Sequence, residues 1–174
     1  MKYIFCLLLV FVVSSAAFAQ KQQSLYLGAG FGFDHGGLGA KAEFQPTKYI
    51  GLFGGLGYNF ANVGANGGII FNILPDKRVT PVLTAMYGYN AVVKVEYLDG
   101  NDYAVYNGLT IGGGVDIKLG RHLDRHKLSV NLLVPFRNPD FFRDYNYIRE
   151  NGEVKQEILP VAISFGWSFN VFSK

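Results

Sequence analysis

Three groups of residues in this chain are of types that do chemistry. The first is charged, set in otherwise apolar or glycine-rich runs: Lys41 and Glu43 lie two apart, as do Asp116 and Lys118. Residues spaced by two share one face of a β-strand, so each pair could form part of a polar plug that a small solute or proton perturbs. The second is histidine. His35 sits in Asp34-His35-Gly36-Gly37, and His122 and His126 are four apart. That spacing binds metal when it falls on a helix, and a histidine within reach of a serine can act as its base. The third is the stretch 138–156, where Phe141, Phe142, Tyr145 and Tyr147 are interleaved with Arg143 and Arg149. Exposed aromatics with arginine make contacts to proteins or glycans.

The elements that must carry these residues read as strands. Over 159–171, Leu159, Val161, Ile163, Phe165, Trp167, Phe169 and Val171 fall on every second position. Pro160, Ala162, Ser164, Gly166, Ser168 and Asn170 fill the gaps. A period of two means a β-strand with one bulky apolar face. The opposite face of a soluble sandwich strand would carry long polar side chains. Here it is small, as the cramped inside of a narrow closed barrel requires, which leaves Phe165, Trp167 and Phe169 facing lipid. A strand crosses a bilayer with roughly 9–11 residues at a tilt near 45°, and this run is long enough.

The same rhythm recurs through the chain. It predicts strands over 24–33, 38–45, 49–60, 63–73, 79–97, 103–119, 128–136 and 159–171, with turn residues between them. On this reading Lys41, Glu43, Asp116 and Lys118 face inward. Only helices and closed barrels satisfy every backbone group in lipid, and alternating segments of about ten residues are the barrel's signature. The expected fold is therefore all-β: an eight-stranded, antiparallel, up-and-down transmembrane β-barrel with a filled interior. Eight strands leave room for side chains and little more, which argues against an open porin.

Composition agrees. The 174 residues suit one domain, and the 22 glycines, 11 tyrosines and 15 phenylalanines suit close-packed β-structure with aromatic rims. Lys2, the apolar run from Ile4 to Val13 and Ala17-Phe18-Ala19 form an export signal over 1–19. The barrel is then 20–174, exported to the outer membrane with cleavage after Ala19. Cys6, the sole cysteine, leaves with the signal, so no disulfide or thiol chemistry is expected. A formal net charge of +3, one unit of which leaves with Lys2, is too small to imply nucleic acid. No pattern calls for a cofactor or a resident metal.

With strand number, alternation, a glycine-rich first strand and an aromatic last strand in place, the chain resembles the small eight-stranded outer-membrane barrels of Gram-negative bacteria. These are the OmpX and OmpA-transmembrane-domain type. The resemblance covers nearly all of 20–174. It implies outer-membrane lipid as surroundings and the barrel-assembly machinery as a partner during biogenesis, with the final strand as its signal. In such families that strand usually ends on an aromatic residue. Here Phe172 is followed by Ser173 and Lys174 and is out of phase with Trp167 and Phe169.

Placed on this topology, the three groups sort themselves. The charges Lys41, Glu43, Asp116 and Lys118 are expected to pair inside the barrel, because buried charges must be compensated. His35 is expected in the first outward turn, and His122 and His126 in a turn at the opposite end, all solvated. Some barrels of this size act on lipid with a His–Ser pair on the outer surface, and only His35 would lie on the side that this chemistry needs. The 138–156 segment becomes the one long outward loop and the expected surface for a protein or glycan partner. A non-enzymatic structural or surface-interaction role follows. The alternatives are a lipid-modifying barrel enzyme, or a soluble barrel with Phe165, Trp167 and Phe169 turned inward around an apolar ligand.

Overall fold

The computed structural model describes residues 23–59, 62–97, 100–120, 125–137, 139, 141, 143 and 160–172, with the backbone alone over 91–105. Its strands are β1 (Ser24–Gly32), β2 (Gly37–Gln45), β3 (Ile50–Tyr58), β4 (Val63–Asn72), β5 (Val79–Tyr97), β6 (Gly100–Leu119), β7 (His126–Phe136) and β8 (Ala162–Asn170). Every neighbouring pair is antiparallel and the order is sequential, with β8 returning to β1 to close the barrel.

The period-two pattern sorts side chains by size and polarity. Ile163, Phe165, Trp167 and Phe169 of β8 point outward, with Trp167 44% exposed, while Ser164, Ser168 and Asn170 point in. Leu52 and Leu56 on β3, Ile69 and Phe71 on β4, and Leu132 and Val134 on β7 continue the apolar exterior around the barrel. A soluble barrel built around an apolar ligand would need these faces exchanged. Inside, Phe53, Ile70, Val82, Met86 and Leu133 form an apolar cluster against one wall, joined by Phe33 and Ala162. Charged and amide side chains occupy the rest.

The barrel has two unlike ends. At the root end, where β1 begins and β8 finishes, the connections β2–β3, β4–β5 and β6–β7 are short. Thr80 Oγ1 donates to the carbonyls of Leu74 and Lys77, at 3.1 Å each, and ties down the β4–β5 turn. At the far end β5 and β6 outrun their neighbours. The last partner of β5 on β4 is at Gly88 and that of β6 on β7 is at Leu109, yet β5 and β6 stay paired to Tyr97↔Gly100. Beyond Gly88 and Leu109 their ribbon is roughly 25–30 Å long at about 3.3 Å per residue.

Two aromatic residues depart from the simple alternation. The rhythm of the first strand places Phe33 outward at a rim. Instead β1 ends at Gly32, whose φ of 136° turns the chain, and Phe33–His35 form a single 3₁₀ turn. The period of two in the predicted strand 79–97 puts Tyr89 on the outward face with Leu83, Ala85 and Tyr87, but both Tyr89 and Asn90 are buried. A bulge between Tyr89 and Ala91, next to Gly88 with φ 145°, shifts the register. An extra residue of this kind re-aims the side chain beside it. Phe33 and Tyr89 then meet edge to face inside the barrel, their ring centroids 5.5 Å apart.

Candidate functional site

The chemistry-bearing side chains converge on the lumen, where they form two clusters. Toward the root end, Lys127 projects inward from β7 and is 3% exposed in its side chain. Its ammonium donates to both oxygens of Glu43 on β2, at 2.9 and 2.8 Å, and to Asp116 Oδ2 on β6 at 2.8 Å. The Tyr26 ring lies under the same nitrogen, with its centroid 4.6 Å away. Two carboxylates from strands on opposite sides of β7 thus share one cation. Gln45 adds a hydrogen bond to Glu43 at 2.6 Å. Below this cluster a cavity of about 160 Å³ opens at the root end, with Tyr26, Lys48, Asn72, Asp116, Lys118 and Lys127 among its walls. Lys118 donates from the mouth of this cavity to the carbonyl of Pro75.

The second cluster lies toward the far end, and its scaffold is the turn Phe33–His35. The turn folds back into the barrel, so Asp34 and His35 are each 1% exposed. The Asp34 carboxylate is a hub. Lys41 Nζ donates to Oδ2 at 2.7 Å, and Asn131 Nδ2 to the same oxygen at 3.4 Å. The hydroxyl of Ser164 donates to Oδ1, and His35 Nδ1 lies 2.8 Å from it, where an Nδ1–H donates. Charge-assisted bonds of this kind are stronger than neutral ones. Asn66 on β4 donates to the carbonyls of Phe33 and Tyr89, closing the turn against β4 and β5.

Glycine makes the insertion sterically feasible. A Cβ at Gly39, Gly57 or Gly55 would run into the carbonyl oxygens of His35 or Asp34. One at Gly64 would meet the Gly36 carbonyl, and one at Gly166 would lie 2.7 Å from both Cε1 and Nε2 of His35. Strands β2, β3, β4 and β8 therefore each lack a side chain where the turn passes. This cradle is built for backbone.

Histidine, aspartate and serine meet here, but in an order unsuited to acyl transfer. A nucleophilic serine needs a histidine at hydrogen-bond distance as its base. Ser164 instead bonds Asp34 Oδ1 directly, and His35 Nδ1 bonds the same oxygen. Among the described residues no group of three His, Cys, Asp or Glu is placed to hold a metal.

No protein-family model and no curated protein matches this chain. Among solved structures it is similar to the N-terminal β-barrel domain of Pseudomonas aeruginosa OprF. The TM-score is 0.52 at 14% sequence identity, over 86% of this chain and 99% of that one. That likeness is one of fold.

The structure brings Lys41, Glu43 and Asp116 inside as expected from the sequence, but it pairs them through residues outside that expectation. Lys127 is the cation between Glu43 and Asp116, and Asp34 is the anion that Lys41 meets. The sequence did carry a signal for Lys127, which shares the parity of Ser129 and Asn131 on an inward face. Two histidine expectations are corrected. His35 is buried in the lumen rather than solvated, because the glycine cradle admits its turn. His126 is the first residue of β7, not part of a turn, and stacks on Trp167 with ring centroids 5.6 Å apart. His122 lies outside the described residues.

The segment 138–156 is described only in part. Phe141, expected as an exposed contact residue, is 1% exposed: it meets Tyr106 edge to face at 5.3 Å and lies 5.3 Å from the Arg137 guanidinium. It anchors the connection to the barrel instead. Arg143 is exposed, and Phe142, Tyr145, Tyr147 and Arg149 lie outside the described residues. The segment 1–19, expected to be an export signal, does as well.

Proposed function

We propose that this chain is an outer-membrane β-barrel without enzymatic activity and without an open pore, whose role is structural or interactive. One observation carries the reading. The polarity of the molecule is inverted, with an apolar exterior on strands all round the barrel and ion pairs inside. Only a lipid environment makes that arrangement favourable, since burying charge while exposing Leu, Ile and Phe to water reverses what folding in water rewards. Among the described residues no helix is long and apolar enough to cross a membrane, and a barrel crosses with strands. The OprF domain, named for a barrel of the same architecture, supports the reading at the level of fold.

The absence of an open pore follows from the filled lumen, with Lys127 bound to two carboxylates and the 33–35 turn laid across the channel. A Ser164 that is fully buried and bonded to a carboxylate supports a role without activity. What remains for interaction is the far end. The β5–β6 ribbon, with Phe141 packed against Tyr106 at its foot, supports this end as the surface that a protein or glycan would meet. The export signal over 1–19 and assembly by the barrel-insertion machinery complete this reading.

The test is folding into lipid. The chain from Gln20 onward should run heat-modifiably on a gel once folded into lipid, and brominated lipid should quench Trp167. A protein that stays dissolved without detergent, with Trp167 untouched by the brominated lipid, would overturn the proposal.

A further inference from the structure

The inserted turn packs chiefly on β2, β3 and β4, and it also reaches across the line where the barrel closes. The seam between β1 and β8, the strands furthest apart in sequence, has the shortest ladder among the described residues. It runs only from Tyr26↔Asn170 to Phe31↔Phe165. Beyond Tyr26 at the root end, its inward face has little to pack: Gly28 opposes Ser168, Gly30 opposes Gly166, and Gly32 lies against Ser164. Elsewhere the lumen wall is held by Phe53, Ile70, Val82, Met86 and Leu133. A short ladder with no side-chain packing behind it is where a closed barrel would part first.

The turn covers this weak place. The His35 imidazole lies on the Gly30–Gly166 pair, so close that a Cβ on either glycine would come within 2.7 Å of it. The Asp34 carboxylate bonds Lys41 on β2, on one side of the seam, and Ser164 on β8 and Asn131 on β7, on the other. We propose that the 33–35 turn is a latch that holds the β1–β8 seam shut against lateral opening. The Asp34 carboxylate is its bolt, and the His35 ring replaces the missing packing. The latch can engage only after closure, because Ser164 and Asn131 reach Asp34 only when β7 and β8 stand beside β1. This inference concerns how the barrel is held closed and does not depend on the proposed role in the membrane.

Amide hydrogen exchange on the barrel from Gln20 onward, folded in detergent micelles, tests it. Asp34→Ala should speed exchange at Leu27–Phe31 and Phe165–Phe169 by about tenfold or more, with Ile111–Val115 in the β6 wall unchanged. If Asp34→Ala does not fold, His35→Ala should give the same local pattern more weakly. Joining the strands with Ala29→Cys and Trp167→Cys, which face each other in the register, should cancel the acceleration. Exchange that is unchanged in the variants, that rises equally in all strands, or that the cross-link fails to slow would each overturn the latch.

Discussion

The lumen is closed twice, by two different materials. Toward the root end three long side chains, Lys127, Glu43 and Asp116, reach across and satisfy one another. Toward the far end a piece of main chain is folded inward and held by one carboxylate, and the walls around it are stripped to glycine. A side-chain seal needs only the right residues at the right parity. A backbone seal needs space on several strands at once and a hub to keep it there. The first should therefore fail when a charge is removed, the second when space is filled.

The largest effect is expected from Lys127→Met. It leaves Glu43 and Asp116 buried near each other with no cation between them, and removing one member of a buried ion pair costs about 3–5 kcal/mol. Urea unfolding followed by Trp167 fluorescence should show that loss. The triple variant Lys127→Met, Glu43→Gln, Asp116→Asn should recover much of it, since no charge is then stranded. A single variant as stable as the parent would mean that water reaches the cluster freely.

Two adjacent glycines make the sharper contrast for the second seal. Gly55 faces the turn, and a Cβ there would strike the Asp34 carbonyl; Gly54 faces outward with nothing within 4 Å of the same built atom. Gly55→Ala is expected to cost about 1–3 kcal/mol, the usual range for overpacking a tight site. Gly54→Ala should stay within about 0.5 kcal/mol of the parent. Equal effects at the two positions would show that the turn is not held where the cradle lies.

The same contrast explains what the sequence could reveal. Strand positions and the inside–outside partition follow from one period, visible in β8 as Phe165, Trp167 and Phe169 against Ser164, Gly166 and Ser168. Lys41, Glu43 and Asp116 were legible because parity alone puts them inside. Lys127 was within reach of the same rule, one residue before the apparent start of its strand. Asp34 and His35 were not. Asp-His-Gly-Gly marks where the chain reverses but carries no information on whether the turn folds outward or inward. That choice depends on Gly39, Gly55, Gly57, Gly64 and Gly166 lining up across four strands, which is a matter of register. Tyr89 escaped for a similar reason, since a bulge moves a side chain across the sheet without changing the local composition.

The smallest effect belongs to the rim of the first seal. Lys48 and Asp76 join the β2–β3 and β4–β5 turns at 2.7 Å in the open. The hydrogen bond from Lys48 holds the Asp76 carboxyl below its ordinary value of 3.8, and the same bond holds the Lys48 ammonium above 10.5. The stabilisation from Asp76 is thus complete above the ordinary carboxylate range and disappears as the pH falls through its lowered value. That from Lys48 is complete below 10.5 and disappears as the pH rises through its raised value. Solvent and salt screen such a pair, so Asp76→Asn should leave global unfolding nearly unchanged. Its effect should instead be local: backbone resonances of the two turns that titrate below pH 4 in the parent should become flat with pH in the variant. The Lys127 cluster, almost wholly buried, should be indifferent to the same substitution. If its resonances moved with those of the turns, the root-end cavity would be in electrical contact with the seal, and the two layers would have to be treated as one.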